Sequence, residues 1–159
     1  MTDETEMRHA VALDRIGDML LLVVHLAATA ALAGLAWVVQ LVVYPAFLLV
    51  GGTPAWPAVH AAHTRAIAFV VGPPWAVQGA ALALLLLRDG LSGLVVVTGL
   101  LALTTVGVTV AVSVPLHARL GRAYDETAAR RLVATNWLRT VAWTAGTACA
   151  GALALRHGS

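Results

Sequence analysis

Charged positions in this chain are rare and widely separated. No Asp, Glu, Lys or Arg falls between Asp18 and Arg65, a run of 46 residues. Three further charge-free runs follow: 22 residues between Arg65 and Arg88, 29 between Asp89 and Arg119, and 16 between Arg139 and Arg156. A helix needs about 20 predominantly apolar residues to cross roughly 30 Å of hydrocarbon. The pattern therefore predicts an all-α, integral membrane four-helix bundle in up-down-up-down order, with residues 19–156 as the transmembrane domain. The first run is too long for one helix, and Pro45, Gly51, Gly52, Pro54 and Pro57 break it. The expected spans are 19–44, 58–87, 91–115 and 130–155. The Pro73-Pro74 pair predicts a kink within the second span, and Arg88-Asp89-Gly90 a tight turn after it. Tyr124-Asp125-Glu126-Thr127 carries the signature of an acidic helix cap. Residues 1–18 form a separate polar segment, of which Met7 to Asp18 suits a short amphipathic helix at the interface.

The fourth span is the short one. Its charge-free part, Thr140–Leu155, has 16 residues, so crossing requires it to recruit Leu132–Leu138. That draws Asn136 and Arg139 into or near the membrane, where a charge either snorkels to the headgroups or serves a function.

Composition supports this reading. The chain is 60% hydrophobic and 11% charged, against about 25% charged in soluble domains. The lipid bilayer is thus the first partner, and a multi-pass protein of the bacterial cytoplasmic membrane is expected. Net charge is +2 with ten Arg and no Lys, and no polybasic run exists to bind nucleic acid. The single cysteine, Cys149, excludes a disulfide framework or a thiolate-rich metal site. The acidic start lacks the basic region of a secretory signal. Basic residues divide too evenly between the two sides to set an orientation. Gly93, Gly99 and Gly107 in the third span would allow close helix contact and a homo-oligomer.

Antiparallel order gathers the unusual polar residues at one end. Trp37, Gln40 and Tyr44 share a face at the end of span one. His60 and His63 open span two, His117 closes span three, and Asn136, Arg139 and Trp143 share a face of span four. His25 and Gln78 stand apart, as isolated polar groups at depth. A polar group buried in hydrocarbon must find a partner, so the clustered residues are expected to meet. The cluster holds no carboxylate, which argues against a proton-coupled transporter relying on Asp or Glu and against a carboxylate-bridged di-iron site.

Three chemistries compete for the histidines. His60, His63 and His117 could ligate copper, iron or zinc with an open position. His60 and His117 could hold a haem, although no second pair supports it. Without any cofactor, His117 and His60 would serve as general acid and base. Arg139 and Asn136 would then hold an oxygen anion, and Gln40, Tyr44, Trp37, Trp143 and Gln78 would bind a lipophilic small-molecule substrate. The alternatives to a membrane-embedded enzyme are a haem- or metal-binding accessory module and, third, a small transporter.

The segments Pro115-Leu116-His117-Ala118-Arg119-Leu120 and Asn136-Trp137-Leu138-Arg139-Thr140 resemble motifs of the small bacterial and fungal four-helix membrane proteins related to anthrone oxygenases. That family shows Pro-x-Asn-x-x-Leu after its third span and Asn-x-x-Arg-Thr at the opening of its fourth. Here His117 stands where the family usually has Asn. Tyr44-Pro45, His60 and Pro115-Leu116-His117 are closer to bacterial members of no known activity. The resemblance implies an oxygenase-type enzyme that oxidises an aromatic, polyketide-like phenol or anthrone without a conventional cofactor. His117, Asn136 and Arg139 would be its polar pocket residues.

Overall fold

The computed structural model describes residues 2–158. They are all-helical, with no strand among the described residues. Four long rods account for nearly everything. The first comprises α1 (Thr2–Val38), a π-helical turn (Val39–Val43) and α2 (Tyr44–Val50). The second is α3 (Trp56–Asp89). The third comprises α4 (Gly93–Val108), a second π-helical turn (Thr109–Ser113) and α5 (Val114–Arg122). The fourth is α6 (Glu126–Gly158).

Three stretches, Glu4–Val50, Trp56–Asp89 and Gly93–Arg122, are long and apolar enough to cross a membrane. The expected fourth span is a helix, but it falls outside that set. Glu126, Arg130, Arg131 and Arg139 load its first half with charge.

Pro45 and Pro115 do not end their helices, contrary to the sequence expectation. Proline has no N–H, so inside an α-helix it strands the carbonyl four residues back. Here the ladder shifts register just before each proline. The Tyr44 N–H bonds to Val39 O and the Val114 N–H to Thr109 O, each five residues back. Each proline then occupies the first turn of the helix that follows, where its missing donor is not needed. An open break would expose unpaired backbone to lipid, so the π turn is the cheaper solution. Pro73 and Pro74 also lie inside a single continuous α3. The N-terminal segment is likewise no separate element: α1 runs unbroken from Thr2 into the first apolar stretch, and residues 4–16 are exposed.

α1 and α6 pack together, α4 packs on α6, and α3 packs on α1, while α3 meets α4 and α5 only sparsely. Leu22, Leu82, Leu85, Val95, Ala102 and Leu153 form the core at one end. Val39, Tyr44, Phe47, Trp56, Leu120, Ala129 and Leu132 form it at the other. Leu32, Ala33, Ala36 and Trp143 fill the middle. Ion pairs mark both ends, Arg88 with Asp18 at one and Arg119 with Asp125 at the other.

The connections are short. Gly52 and Gly90 take positive φ, 78° and 63°, where a side chain would be strained. Gly51 is required for another reason: a Cβ there would lie within the Tyr124 ring, which packs edge-on against Trp56 at 5.0 Å. The predicted acidic cap is present. Asp125 Oδ1 accepts the Ala128 N–H at 2.8 Å. That bond, with the Arg119 guanidinium beside it, holds the Asp125 carboxyl below its ordinary range.

Two predictions follow from these ends. Gly51→Ala should destabilise the detergent-solubilised protein by about 1–3 kcal/mol, the usual cost of overpacking. In a Tyr124→Ala background the loss should vanish, as read by thermal melting. Asp125→Ala should lower the melting temperature at neutral pH. Because the folded carboxyl is depressed, its contribution is present above the unfolded value of 3.8 and fades as pH falls through the folded one. The melting curves of wild type and variant should therefore converge below about pH 4.

Candidate functional site

Two of the predicted polar residues lock the first rod to α6. Asn136 Nδ2 donates to Gln40 Oε1 at 2.9 Å, and Gln40 Nε2 donates to Val133 O at 3.3 Å. Thr140, buried one turn further on, donates to Asn136 O at 3.1 Å. Gln40 and Asn136 are 3% and 1% exposed, sealed between the helices. Neither lines a cavity; they hold the wall rather than the contents.

The lock presents Tyr44 and Arg139 to the same space. Tyr44 lies one turn beyond Gln40, just past the first π turn, and Arg139 one turn beyond Asn136. The Arg139 guanidinium faces the Tyr44 hydroxyl. Tyr44 Oη is 3.2 Å from His117 Nε2, and His117 Nδ1 is 3.2 Å from His60 Nε2. The four residues thus form a line from α3 through α5 to the first rod and α6. In neutral His117 one ring nitrogen donates and the other accepts. Either tautomer satisfies both bonds, so a proton can pass along the line by a concerted switch.

Aromatic packing holds this line in place. His60 packs against Trp56 with centroids 5.1 Å apart, and Trp56 Nε1 donates to Leu120 O at 3.0 Å, tying the start of α3 to α5. His63 stacks on His117 at 5.7 Å and meets the Phe47 ring edge-on at 4.9 Å.

Beside the line lies a cavity of about 360 Å³. Ile67, Val71 and Trp75 of α3 form its apolar wall, and Tyr44, Ser113, His117 and Arg139 its polar end. Two smaller voids of about 30 and 40 Å³ also border Arg139, with Trp143 lining both. All three cavities share Arg139. Ser113 Oγ, Arg139 Nε and His63 Nε2 are buried with no hydrogen-bond partner. Among the described residues no carboxylate forms an ion pair with Arg139.

The remaining predicted residues fall elsewhere. Trp37 packs edge-on against Trp137 at 5.6 Å on the outer surface, the two being 38% and 42% exposed. Its indole donates to Thr144 Oγ1 at 3.1 Å. Gln78 is buried in the other half of α3, near His25. Ser113 carried a usable signal, since it stands four residues before His117 and so shares its helix face. Ile67 and Val71 carried none, because an apolar residue in a membrane helix is unremarkable.

The structure brings His60, His63 and His117 together as neighbours. His60 and His117 turn nitrogens toward each other at hydrogen-bond distance, which leaves no room between them for a haem plane. Among the described residues no group of three or more His, Cys, Asp or Glu side chains is arranged to hold a metal ion.

The division between wall and contents is testable. Asn136→Ala should leave the Gln40 amide oxygen without its donor and cost about 1–3 kcal/mol in a thermal melt. Trp37→Phe, on the outer face, should leave the melt nearly unchanged. Comparison of the chain with known protein families, with curated proteins and with solved structures finds no match.

Proposed function

We propose that the protein is a membrane-embedded enzyme acting on a lipophilic small molecule held in the 360 Å³ cavity. The observation that carries this reading is a single cavity that joins an apolar wall to a proton line and a guanidinium without a carboxylate. Ligand sites of about 300–1,000 Å³ with a few converging polar groups have this character.

The architecture belongs to the same proposal. Short connections at 51–55, 90–92 and 123–125 favour antiparallel neighbours, hence an up-down-up-down four-helix bundle across the membrane. α6 crosses with the others although it is less apolar, because it packs between α1 and α4. Its one mid-membrane charge, Arg139, turns inward to the cavities.

His117 and Tyr44 line the cavity and touch the substrate; His60 sits behind His117 and receives or returns its proton. Arg139 stabilises negative charge that develops on a substrate oxygen, an effect magnified where water is excluded. The motif resemblance supports oxidation of a phenol or anthrone. With anthrone, loss of a ring C–H proton to the His117–Tyr44 pair leaves an enolate whose oxygen faces Arg139. Reaction of that enolate with O2 gives anthraquinone, and overall one O2 is consumed and one water released per anthrone.

A second reading, a metal-carrying module, rests on the three neighbouring imidazoles and requires their rings to turn. One set of measurements separates the two. Purified protein in nanodiscs, given anthrone, should consume oxygen. His117→Ala and Arg139→Ala should each lower the rate by about 10²–10³-fold while circular dichroism stays unchanged. Undiminished turnover in both variants would falsify the enzyme reading. Stoichiometric copper, iron or zinc in wild type, absent from His117→Ala, would establish the metal reading instead.

A further inference from the structure

The walls of the cavity do not close on all sides. α3 packs on α1, α1 on α6 and α6 on α4, whereas α3 meets α4 and α5 sparsely. The cavity is lined from both sides of that gap, by Ile67, Ala68, Val71, Gly72 and Trp75 of α3 and by Val114 and His117 of α5. At the lip, Ala68, Gly72 and Val114 are exposed. A Cβ added to Gly72 would meet nothing within 4 Å. All three lip residues are apolar or without a side chain, and both walls belong to stretches able to span a membrane. The opening therefore faces hydrocarbon.

At the inner end the requirement is reversed. Arg139 lines the cavity without a carboxylate partner and with its Nε orphaned. Ser113, 3% exposed, points an unpartnered hydroxyl into the same space. Arg139 is half-buried, a cation without a counter-charge there is costly, and its guanidinium fork matches the oxygens of an oxyanion. Arg139 is the one Arg lining the cavity. One guanidinium neutralises one charge, so it matches a singly charged group better than a doubly charged phosphomonoester.

We propose that the gap between α3 and α5 is a lateral portal from the bilayer, admitting an apolar molecule with one singly charged oxyanionic group, carboxylate or phenolate, that docks against Arg139 and Ser113. The inference rests on the cavity being a ligand site and adds the ligand's charge and its route. The body lies along Ile67, Val71 and Trp75, and the head reaches the Tyr44–His117 pair. Because the ligand arrives through lipid, it need never cross water with its apolar body exposed.

The test is binding, independent of turnover. Wild-type protein in phosphatidylcholine nanodiscs is titrated calorimetrically with 2-naphthoate, 2-naphthol and 2-naphthamide, with empty nanodiscs subtracted. At least one acidic probe should bind about tenfold or more tightly than the amide, as a charge-assisted contact requires. Tighter naphthoate identifies a carboxylate head; tighter naphthol, strengthening as pH rises, identifies a phenolate. Arg139→Gln should bring the acidic probes and the amide within about twofold of one another. Ala68→Phe, filling the lip, should weaken all three by about tenfold or more. Equal binding of acids and amide by wild type overturns the oxyanion assignment while leaving the enzyme reading to its own turnover test. That ratio decides even where Arg139→Gln fails to fold. Unchanged binding in Ala68→Phe overturns the portal. So does a dimer that Ala68→Phe dissociates, since a second copy would then occupy the gap.

Discussion

The amide pair Gln40–Asn136 lies buried between the first rod and α6, and the rest of the site depends on it. An amide left unpaired in hydrocarbon loses several kcal/mol relative to water, so the two side chains can be buried only if α1 and α6 stand in the one register that joins them. Tyr44 follows Gln40 by four residues and Arg139 follows Asn136 by three. The register that joins the two amides therefore also aims a phenol and a guanidinium into one space. Thr140, donating to Asn136 O, makes the lock a short network rather than a single bond.

The two prolines contribute a matching constraint. Pro45 and Pro115 stand on the first and third rods, each directly after a π turn. Widening the ladder to five residues shifts the helix face that follows by part of a turn. Tyr44 and His117 both lie beyond such a shift, and they meet at 3.2 Å. Helix-breaking residues thus act here as aiming devices. In stretches apolar enough to span a membrane, a true break would leave carbonyls with neither water nor backbone to accept from.

Stability and chemistry occupy separate polar groups in this interior. Gln40 and Thr140 spend their hydrogen bonds on the packing of α1 against α6. Ser113 and Arg139 keep polar atoms unpaired at the cavity. His25 and Gln78 also keep orphaned atoms in the other half of the molecule, away from the cavity that Ser113 and Arg139 line. The coincidence of orphaned atoms and empty space is what distinguishes the Arg139 end.

Much was legible in the residues themselves. Charge-free runs of 46, 22, 29 and 16 residues determined a helical chain with stretches able to span a membrane. The shortfall of the last run singled out Asn136 and Arg139, and antiparallel order gathered the polar residues at one end. Asp125 capped its helix as its neighbours implied, because a cap is a local interaction. What only the tertiary structure decided is which polar residues pair with each other and which face the cavity. Residues sharing a face at one membrane level have equal claim to a site when read along the chain. Trp37, Gln40 and Tyr44 share such a face, yet one lies on the outer surface, one in the lock and one in the cavity. Proline likewise carries the same local signal whether it ends a helix or follows a π turn. Only the packing of neighbouring rods, which sets which donors and acceptors meet, chooses between them.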